Sequence, residues 1–201
     1  NALLMSLTEV LFQILPQKRD GRLQINHRDR RMAGMSDAPT PDAAVGRGPD
    51  KLLAIGAYGE MVAAYRYLVL SEKAPSEKLR VEFAAMADEE QEHKQRLQKL
   101  LADMYPAADF VLTAEDKESV VTGPRLLEIR SEHDLVEAMQ MILETERKTA
   151  GFYGHHSKLI PIPHLKSLFH ELAEEGAEHY QRLRALAREA DVQEGDEGEL
   201  P

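Results

Sequence analysis

The chain repeats itself at a constant offset of 86 residues, and this internal repeat restricts the fold more than any other feature. Residues 60–100 align without a gap to residues 146–186, with 15 identities in 41 positions. Chance alone would give roughly 2 or 3. The identities include Glu60 with Glu146, Ala64 with Ala150, Tyr67 with Tyr153, Glu89 with Glu175 and His93 with His179. One position breaks the symmetry, because Glu90 in the first copy is answered by Gly176 in the second. The repeat predicts a fold made of two copies of one structural unit.

The composition indicates an all-helical protein and limits its chemistry. Hydrophobic residues make up 43% of the chain, aromatic residues only 5%, and charged residues 30%. The formal net charge of −10 argues against nucleic acid as a partner, because phosphate binding needs clustered basic residues. The chain has no cysteine, which excludes disulfides, thiolate metal sites and iron–sulfur clusters. Any metal site must therefore be built from carboxylates and histidines.

Three segments are predicted along the chain. Residues 1–50 form an N-terminal extension and linker, partly disordered or non-native, since they are rich in Ala, Pro, Gly and Asp near the domain. Residues 51–190 form the folded domain, and residues 191–201 form an acidic tail. No apolar run reaches the ~18 residues of a membrane span, and residues 2–15 lack the features of a signal peptide. We therefore predict a cytoplasmic protein with no membrane partner.

Four long segments have helical periodicity, and loop lengths predict how they pair. The segments are residues 51–73, 76–104, 131–159 and 163–190. Short loops within each half predict antiparallel helix pairs, and the connection over residues 105–130 is long enough to cross over along a bundle. Apolar residues such as Val120 and Val121 indicate that this crossover packs on the helices. The prediction is an antiparallel four-helix bundle of two repeated helix pairs.

Ionisable residues interrupt the apolar stripes of the helices near their middle. Glu90 and His93 lie on such a stripe, and Glu60 lies on the preceding helix. Burial of these groups costs several kcal/mol unless they are paired or bound to a metal. Carboxylate-bridged di-metal bundles use a Glu from each of two helices and a Glu-x-x-His from each of the other two. Two alternatives stay open: a metal-free hydrogen-bonded cluster, and a second half in which Glu146 and His179 are relics of a lost site.

Sequence motifs in the first half resemble the rubrerythrin branch of the ferritin-like di-iron superfamily. These motifs are Gly59-Glu60, Tyr65-Arg66-Tyr67 and Ala87-Asp88-Glu89-Glu90-Gln91-Glu92-His93. The resemblance covers about residues 51–188 and implies a ferritin-like bundle that holds two non-haem irons. It implies five metal ligands, which are Glu60, Glu90, His93, Glu146 and His179. It also implies that Tyr67 and Tyr153 hydrogen-bond the ligand carboxylates.

Two departures from the family pattern affect the predicted function. In the second copy of the repeat, Gly176 stands in place of the Glu of the Glu-x-x-His motif, so the fourth carboxylate of the metal site is missing. This predicts a weak or exchangeable second iron. Glu175 is about 40° from His179 around the helix and is a candidate substitute ligand, although its repeat partner Glu89 coexists with Glu90. A chain without cysteine also lacks the rubredoxin module of full-length rubrerythrins. Redox turnover would then need an external electron donor.

The leading hypothesis is a di-iron protein that reacts with peroxide or dioxygen. The reaction would be of the peroxidase or ferroxidase type. Whether the protein turns over as an enzyme is left open. Oxygen-rich ligands with two histidines favour iron first and manganese second. The alternatives are an iron-binding or storage protein without turnover, and a ferritin-like scaffold with a degenerate second metal position. A homo-oligomer, specifically a dimer, is expected. The remaining histidines are predicted at the surface, namely His155, His156, His164 and His170.

Overall fold

The computed structural model describes residues 47–196, with side chains up to residue 188. Within that range the helices are α1 (Pro49–Lys73), α2 (Glu77–Met104), α3 (Ala114–Glu118), α4 (Glu132–Leu159) and α5 (Pro163–Asp196). The long helices begin within about two residues of their predicted starts. Helix α5 extends to Asp196, past the predicted end at residue 190 and into the segment expected to be an acidic tail. Predictions for residues 1–46 and 197–201 concern parts of the chain outside the described residues.

Side-chain caps fix where three of the helices begin. Ser76 accepts a hydrogen bond from the backbone N–H of Leu79 at the start of α2. At α4, the Ser131 hydroxyl and the Asp134 carboxylate each accept from the other residue's backbone N–H. The same reciprocal capping box begins α3, the short helix of the crossover. These bonds satisfy amide groups that a helix leaves unpaired in its first turn.

The helices form two hairpins that pack on one another. Helix α1 packs along α2 in the first hairpin, and α4 packs along α5 in the second. The hairpins meet mainly through α1 with α4, and less closely through α2 with α5. The architecture confirms the predicted all-α, ferritin-like four-helix bundle. In residues 47–196 no helix is long and apolar enough to cross a membrane.

The crossover between the hairpins packs across α1 and α4. Val120 is fully buried, while Phe110 and Val111 earlier in the connection are exposed. A Cβ atom at Gly59 would lie 3.2 Å from the Val120 Cβ atom, so the missing side chain lets the crossover approach α1 closely. From α4, the Thr149 hydroxyl donates to the Val120 carbonyl at 2.8 Å. The crossover therefore covers one side of the bundle, as its apolar residues predict.

The surface prediction is wrong for one of the four histidines. His155, His164 and His170 are exposed, but His156 is buried with 6% of its surface accessible. The reason is its position on α4, one turn after Phe152, whose ring centroid lies 4.6 Å from that of His156. Burial lowers the pKa of His156 to about 4.

Candidate metal centre

The four long helices bring the five implied ligands together in the middle of the bundle, and all five are buried. Helix α1 supplies Glu60, α2 supplies Glu90 and His93, α4 supplies Glu146, and α5 supplies His179. They form two overlapping groups, Glu60 with Glu90 and His93, and Glu90 with Glu146 and His179. Within each group the candidate ligand atoms lie within 4.8 Å of one another. Glu90 belongs to both groups and stands at the centre.

The carboxylate of Glu90 faces both histidines, with one oxygen for each. Its Oε2 atom lies 3.2 Å from Nδ1 of His93, and its Oε1 atom lies 2.6 Å from Nδ1 of His179. The two imidazole rings are nearly parallel, with centroids 5.8 Å apart and planes inclined by 25°. This is the arrangement of a carboxylate that can bridge two adjacent metal positions, each completed by one imidazole nitrogen.

Two buried tyrosines tie the remaining carboxylates across the hairpins. The Tyr67 hydroxyl of α1 donates to Oε1 of Glu146 on α4 at 2.8 Å. In the equivalent contact, the Tyr153 hydroxyl donates to Oε1 of Glu60. A Cβ atom at Gly56 would lie 2.8 Å from the Tyr153 hydroxyl, so the glycine makes room for this contact. Each tyrosine thus fixes a carboxylate of the opposite hairpin.

The outer nitrogen of each histidine contacts a further carboxylate. Nε2 of His93 lies 3.1 Å from Oε2 of Glu175, and Nε2 of His179 lies 2.7 Å from Oε2 of Glu89. Glu89 and Glu175 are equivalent in the repeat, and each contacts the histidine of the other hairpin. The structure therefore places Glu175 beside His93 of the first group, not beside His179 of the second. It lies on the side of the imidazole away from Glu90.

Two arginines extend these contacts toward the surface. Arg182 donates to Glu89 at 2.7 Å, and Arg96 lies 3.6 Å from the Glu175 carboxylate. The sequence assigns no role to Glu89, and it predicts surface ion pairs of Arg96 with Glu92 and of Arg182 with Glu178, whereas these arginines face carboxylates of the opposite helix. The signal is present in the repeat, since Glu89, Arg96 and their equivalents are identities that flank the two histidines. Which side chains meet across α2 and α5 depends on helix rotation, which the repeat alone does not define.

Comparison with known proteins agrees with this geometry. The family model described as Rubrerythrin matches residues 51–187. The chain belongs to the rubrerythrin family. A solved structure of a hypothetical protein from Pyrococcus furiosus is also similar, at 26% sequence identity and a TM-score of 0.62. That match covers 72% of this chain and 90% of the Pyrococcus chain. No curated protein matches.

Burial and crowding strongly perturb the acids of this rubrerythrin centre. Burial, and next the charge of Glu90, raise the pKa of Glu60 well above its usual range. The same two causes raise the pKa of Glu146 to about 8. Burial also acts to raise the pKa of Glu90, but hydrogen bonds with Glu60 and both histidines hold it below its usual range. Burial opposes the charged form of His179, yet its contacts with Glu90 raise its pKa to about 9.

These pKa shifts test whether the residues fit a metal. In a metal-free rubrerythrin centre, burial and the charge of Glu90 favour the protonated forms of Glu60 and Glu146, because three carboxylates cannot all ionise together in a buried space. Divalent cations can take the place of those protons and neutralise the same charge. Carboxylate oxygens with two imidazole nitrogens are donors that suit iron and manganese. The residues therefore fit a pair of such cations.

The centre is covered on one side and open on the other. The crossover buries the side formed by α1 and α4, where Val120 lies on Gly59. On the side formed by α2 and α5, the side chains of Glu89 and Glu175 are 42% and 40% exposed while contacting the buried histidines. Between α2 and α5, partly exposed side chains therefore reach the buried histidines.

Proposed function

We propose that this rubrerythrin-family chain is a non-haem di-iron protein that reacts with peroxide or dioxygen. The position of Glu90 carries the proposal, because each of its oxygens faces Nδ1 of a different histidine. One iron would be held by Glu60, Glu90 and His93. The other would be held by Glu90, Glu146 and His179.

The chain's own residues prepare these positions for a cation. Bound iron would supply the exchange of electrons with peroxide or dioxygen. Glu89 accepts a hydrogen bond from Nε2 of His179, and the Glu175 carboxylate lies 3.1 Å from Nε2 of His93, so each would orient its imidazole with Nδ1 toward a metal that displaces the proton from that nitrogen. The Tyr67 and Tyr153 hydroxyls hold one oxygen of Glu146 and of Glu60 and leave the second oxygen for a metal. In this assignment Glu175 orients His93 and is not a ligand.

The missing side chain at Gly176 would make the two iron positions unequal. Glu90 would serve both positions from α2, and the position beside His179 lacks the further carboxylate that a side chain at Gly176, three residues earlier on α5, would supply. We infer a weaker, more exchangeable iron there. Reactants would approach between α2 and α5, where the outer carboxylates are partly exposed. These 201 residues contain no cysteine, so electrons for repeated turnover would come from a donor outside them.

The same asymmetry favours a second candidate function. A protein that binds or stores iron without repeated turnover would also use a tight first position and an exchangeable second one. Gly176 is the observation that supports this alternative. The cytoplasmic location and the homodimer stay predictions.

An anaerobic ferrous titration followed by peroxide separates these functions. The proposal expects two ferrous ions per chain, oxidation on mixing with peroxide, and repeated turnover once an electron donor is added. Iron binding with a single round of oxidation and no turnover supports the storage function. A parallel titration with manganese tests the metal preference. Failure to bind any iron contradicts both functions and leaves a scaffold without metal.

A further inference from the structure

A fully buried arginine lies beside the metal centre but belongs to neither metal group. Arg66 of α1 has none of its surface exposed. Its Nη1 atom donates to the Thr145 hydroxyl at 2.8 Å, and its Nη2 atom donates to the carbonyls of Thr122 and Pro124, both at 2.7 Å. Burial lowers its pKa to about 10, so the guanidinium stays charged at neutral pH. Arg66 therefore joins α1, the crossover and α4 through one side chain.

The crossover turn is shaped to receive this guanidinium. Gly123 lies between the two acceptor carbonyls and has a φ of +70°, a left-handed conformation that favours glycine. This conformation lets the carbonyls on either side of it converge on one nitrogen. A Cβ atom at Gly123 would lie 2.2 Å from Sδ of Met141 on α4, so the position also has no room for a side chain. The sequence thus builds a specific carbonyl pair for Arg66.

The contact of Arg66 with Thr145 lies next to the contact of Tyr67 with the candidate ligand Glu146. Arg66 and Tyr67 are consecutive on α1, and they contact Thr145 and Glu146, which are consecutive on α4. Two adjacent side-chain pairs fix the position of one helix against the other better than a single pair. The charge-assisted pair of Arg66 is the more rigid of the two, because a planar guanidinium offers donors in a fixed geometry.

We call the contacts of Arg66 with Thr145 and with the carbonyls of Thr122 and Pro124 the arginine clamp. The internal repeat shows that the residues of this clamp occur on one side of the centre only. At the offset of 86, Arg66 corresponds to Phe152 and Thr145 corresponds to Gly59. The contact of Tyr153 with Glu60 therefore has no arginine pair next to it. The clamp supports the Glu146 half of the centre, which is also the half that lacks a carboxylate at Gly176.

We propose that Arg66 is a positioning residue that holds Glu146 in place for metal binding through its contact with Thr145. This inference rests on the proposed di-metal function. It predicts that breaking the contact weakens the metal position at Glu146 and leaves the position at Glu60 and His93 unchanged.

The test uses threonine variants, because replacing the buried Arg66 itself can prevent folding. Thr145→Val removes the acceptor hydroxyl and keeps the side-chain shape, and Thr145→Ser keeps a hydroxyl. Thr149→Val is the matched control: it removes a hydrogen bond from α4 to the crossover carbonyl of Val120, one turn away. Thr145 and Thr149 are both buried, with 2% and 7% of their surface accessible.

Anaerobic titration with Co²⁺, followed by absorbance, reports two binding events separately. The event that disappears in Glu146→Gln identifies the position under test. We expect Thr145→Val to weaken that event by about tenfold, the lower end of the range for residues that orient ligands. We expect Thr145→Ser to restore it, and Thr149→Val to leave it unchanged even if the free energy of unfolding falls equally in both valine variants.

Several results would overturn the inference. If Thr145→Val weakens both binding events equally, Arg66 only stabilises the fold. The same conclusion follows if Thr149→Val weakens the Glu146 event as much as Thr145→Val does. Unchanged binding in Thr145→Val would mean that the contact does not position Glu146. A wild-type protein that binds no Co²⁺ would contradict the proposed function and this inference with it, whereas two bound ions with unaffected variants would contradict the inference alone.

Discussion

The outer nitrogen of each histidine determines how firmly the imidazole is oriented. Nε2 of His93 contacts Glu175, and Nε2 of His179 contacts Glu89. In metal sites, a carboxylate beside the outer nitrogen of a ligating histidine orients the ring and increases the basicity of its other nitrogen. The repeat builds this arrangement twice, as expected if Glu89 and Glu175 orient the histidines of the proposed metal centre.

Replacing Glu175 separates an orienting role from a ligand role. We expect Glu175→Ala to weaken Co²⁺ binding at the position of His93 by about tenfold, while two ions still bind per chain. Glu174→Ala is the control, because its exposed carboxylate pairs with His170 on the surface. The measurement is an anaerobic Co²⁺ titration of both variants. A fall from two ions to one would show that Glu175 is a ligand.

The buried His156 makes the stability of the fold depend on pH. Its pKa is about 4 in the fold, against about 6.5 in an unfolded chain. Between these values the unfolded chain binds a proton that the folded protein does not. Stability is therefore present above pH 6.5 and is lost as the pH falls toward 4, by up to about 1.4 kcal/mol per pH unit.

The variant His156→Phe should remove this dependence. We expect its free energy of unfolding in urea to fall less steeply from pH 7 to pH 4.5 than that of the wild type. His170→Phe is the control, because this histidine is 67% exposed on α5. Parallel curves for wild type and His156→Phe would mean that His156 titrates normally in the fold.

Within helix α5, Gly176 occupies the place that Glu90 has in α2. A Cβ atom there would lie 3.4 Å from the Ala150 Cβ atom of α4, which is ordinary contact. A glycine inside a helix costs about 0.5–1 kcal/mol relative to alanine. Packing does not require the glycine, so its effect on the metal position can be tested directly.

Substitutions at Gly176 should change stability and metal affinity independently. We expect Gly176→Ala to raise the free energy of unfolding by about 0.5–1 kcal/mol without changing metal affinity. Gly176→Glu should tighten Co²⁺ binding at the position of His179, because it restores a carboxylate there. Gly176→Gln has the same length without the charge and is the control. Equal affinity for the Glu and Gln variants would mean that another group already completes this position.

The sequence predicts the helical elements well because their signals are local. Periodicity and caps such as Ser131 with Asp134 define the helices, and the offset of 86 predicts two hairpins. Glu60, Glu90 and His93 lie near the middle of the two paired helices of the first copy, and this predicted group is one of the two in the structure.

Contacts between elements depend on rotations and rotamers that no local pattern encodes. Glu175 and His179 lie one turn apart on the same helix, so the side-chain rotamer of Glu175 decides whether its carboxylate meets His179 or reaches His93 on α2. The burial of His156 depends on packing around Phe152. The arginine clamp requires the crossover turn at Gly123, which is more than 50 residues after Arg66 in the sequence. No local pattern around Arg66 predicts this contact.

Across the whole bundle, acidic charge in the core is the main electrostatic cost. The chain has a formal net charge of −10, and Glu60, Glu90 and Glu146 are buried together in the bundle. Unpaired buried charges cost several kcal/mol each, and burial together with the charge of Glu90 shifts Glu60 and Glu146 toward their uncharged forms. Cation binding and fold stability are therefore linked, since only the folded bundle brings these acids together.

Metal binding should raise the melting temperature, and Glu90 should control the whole effect. At a free metal concentration 100 times Kd, each position adds about 2.7 kcal/mol. For a domain of this size the increase per position corresponds to about 5–10 °C. Because Glu90 belongs to both metal groups, we expect Glu90→Gln to abolish the increase from both positions.

The exposed Glu92 on the same helix provides the matched control for this experiment. Glu92→Gln removes the same charge from α2, so it should keep the full increase in melting temperature with Co²⁺ or Fe²⁺ measured anaerobically. If Glu90→Gln keeps half of the increase, Glu90 serves one metal position and the two groups are independent. If it keeps the full increase, the metal binds elsewhere, and the central carboxylate is a structural hydrogen-bonding group. Complete loss in Glu90→Gln, with full retention in Glu92→Gln, requires a carboxylate shared by both ions, because no separate pair of sites would respond to one substitution in this way.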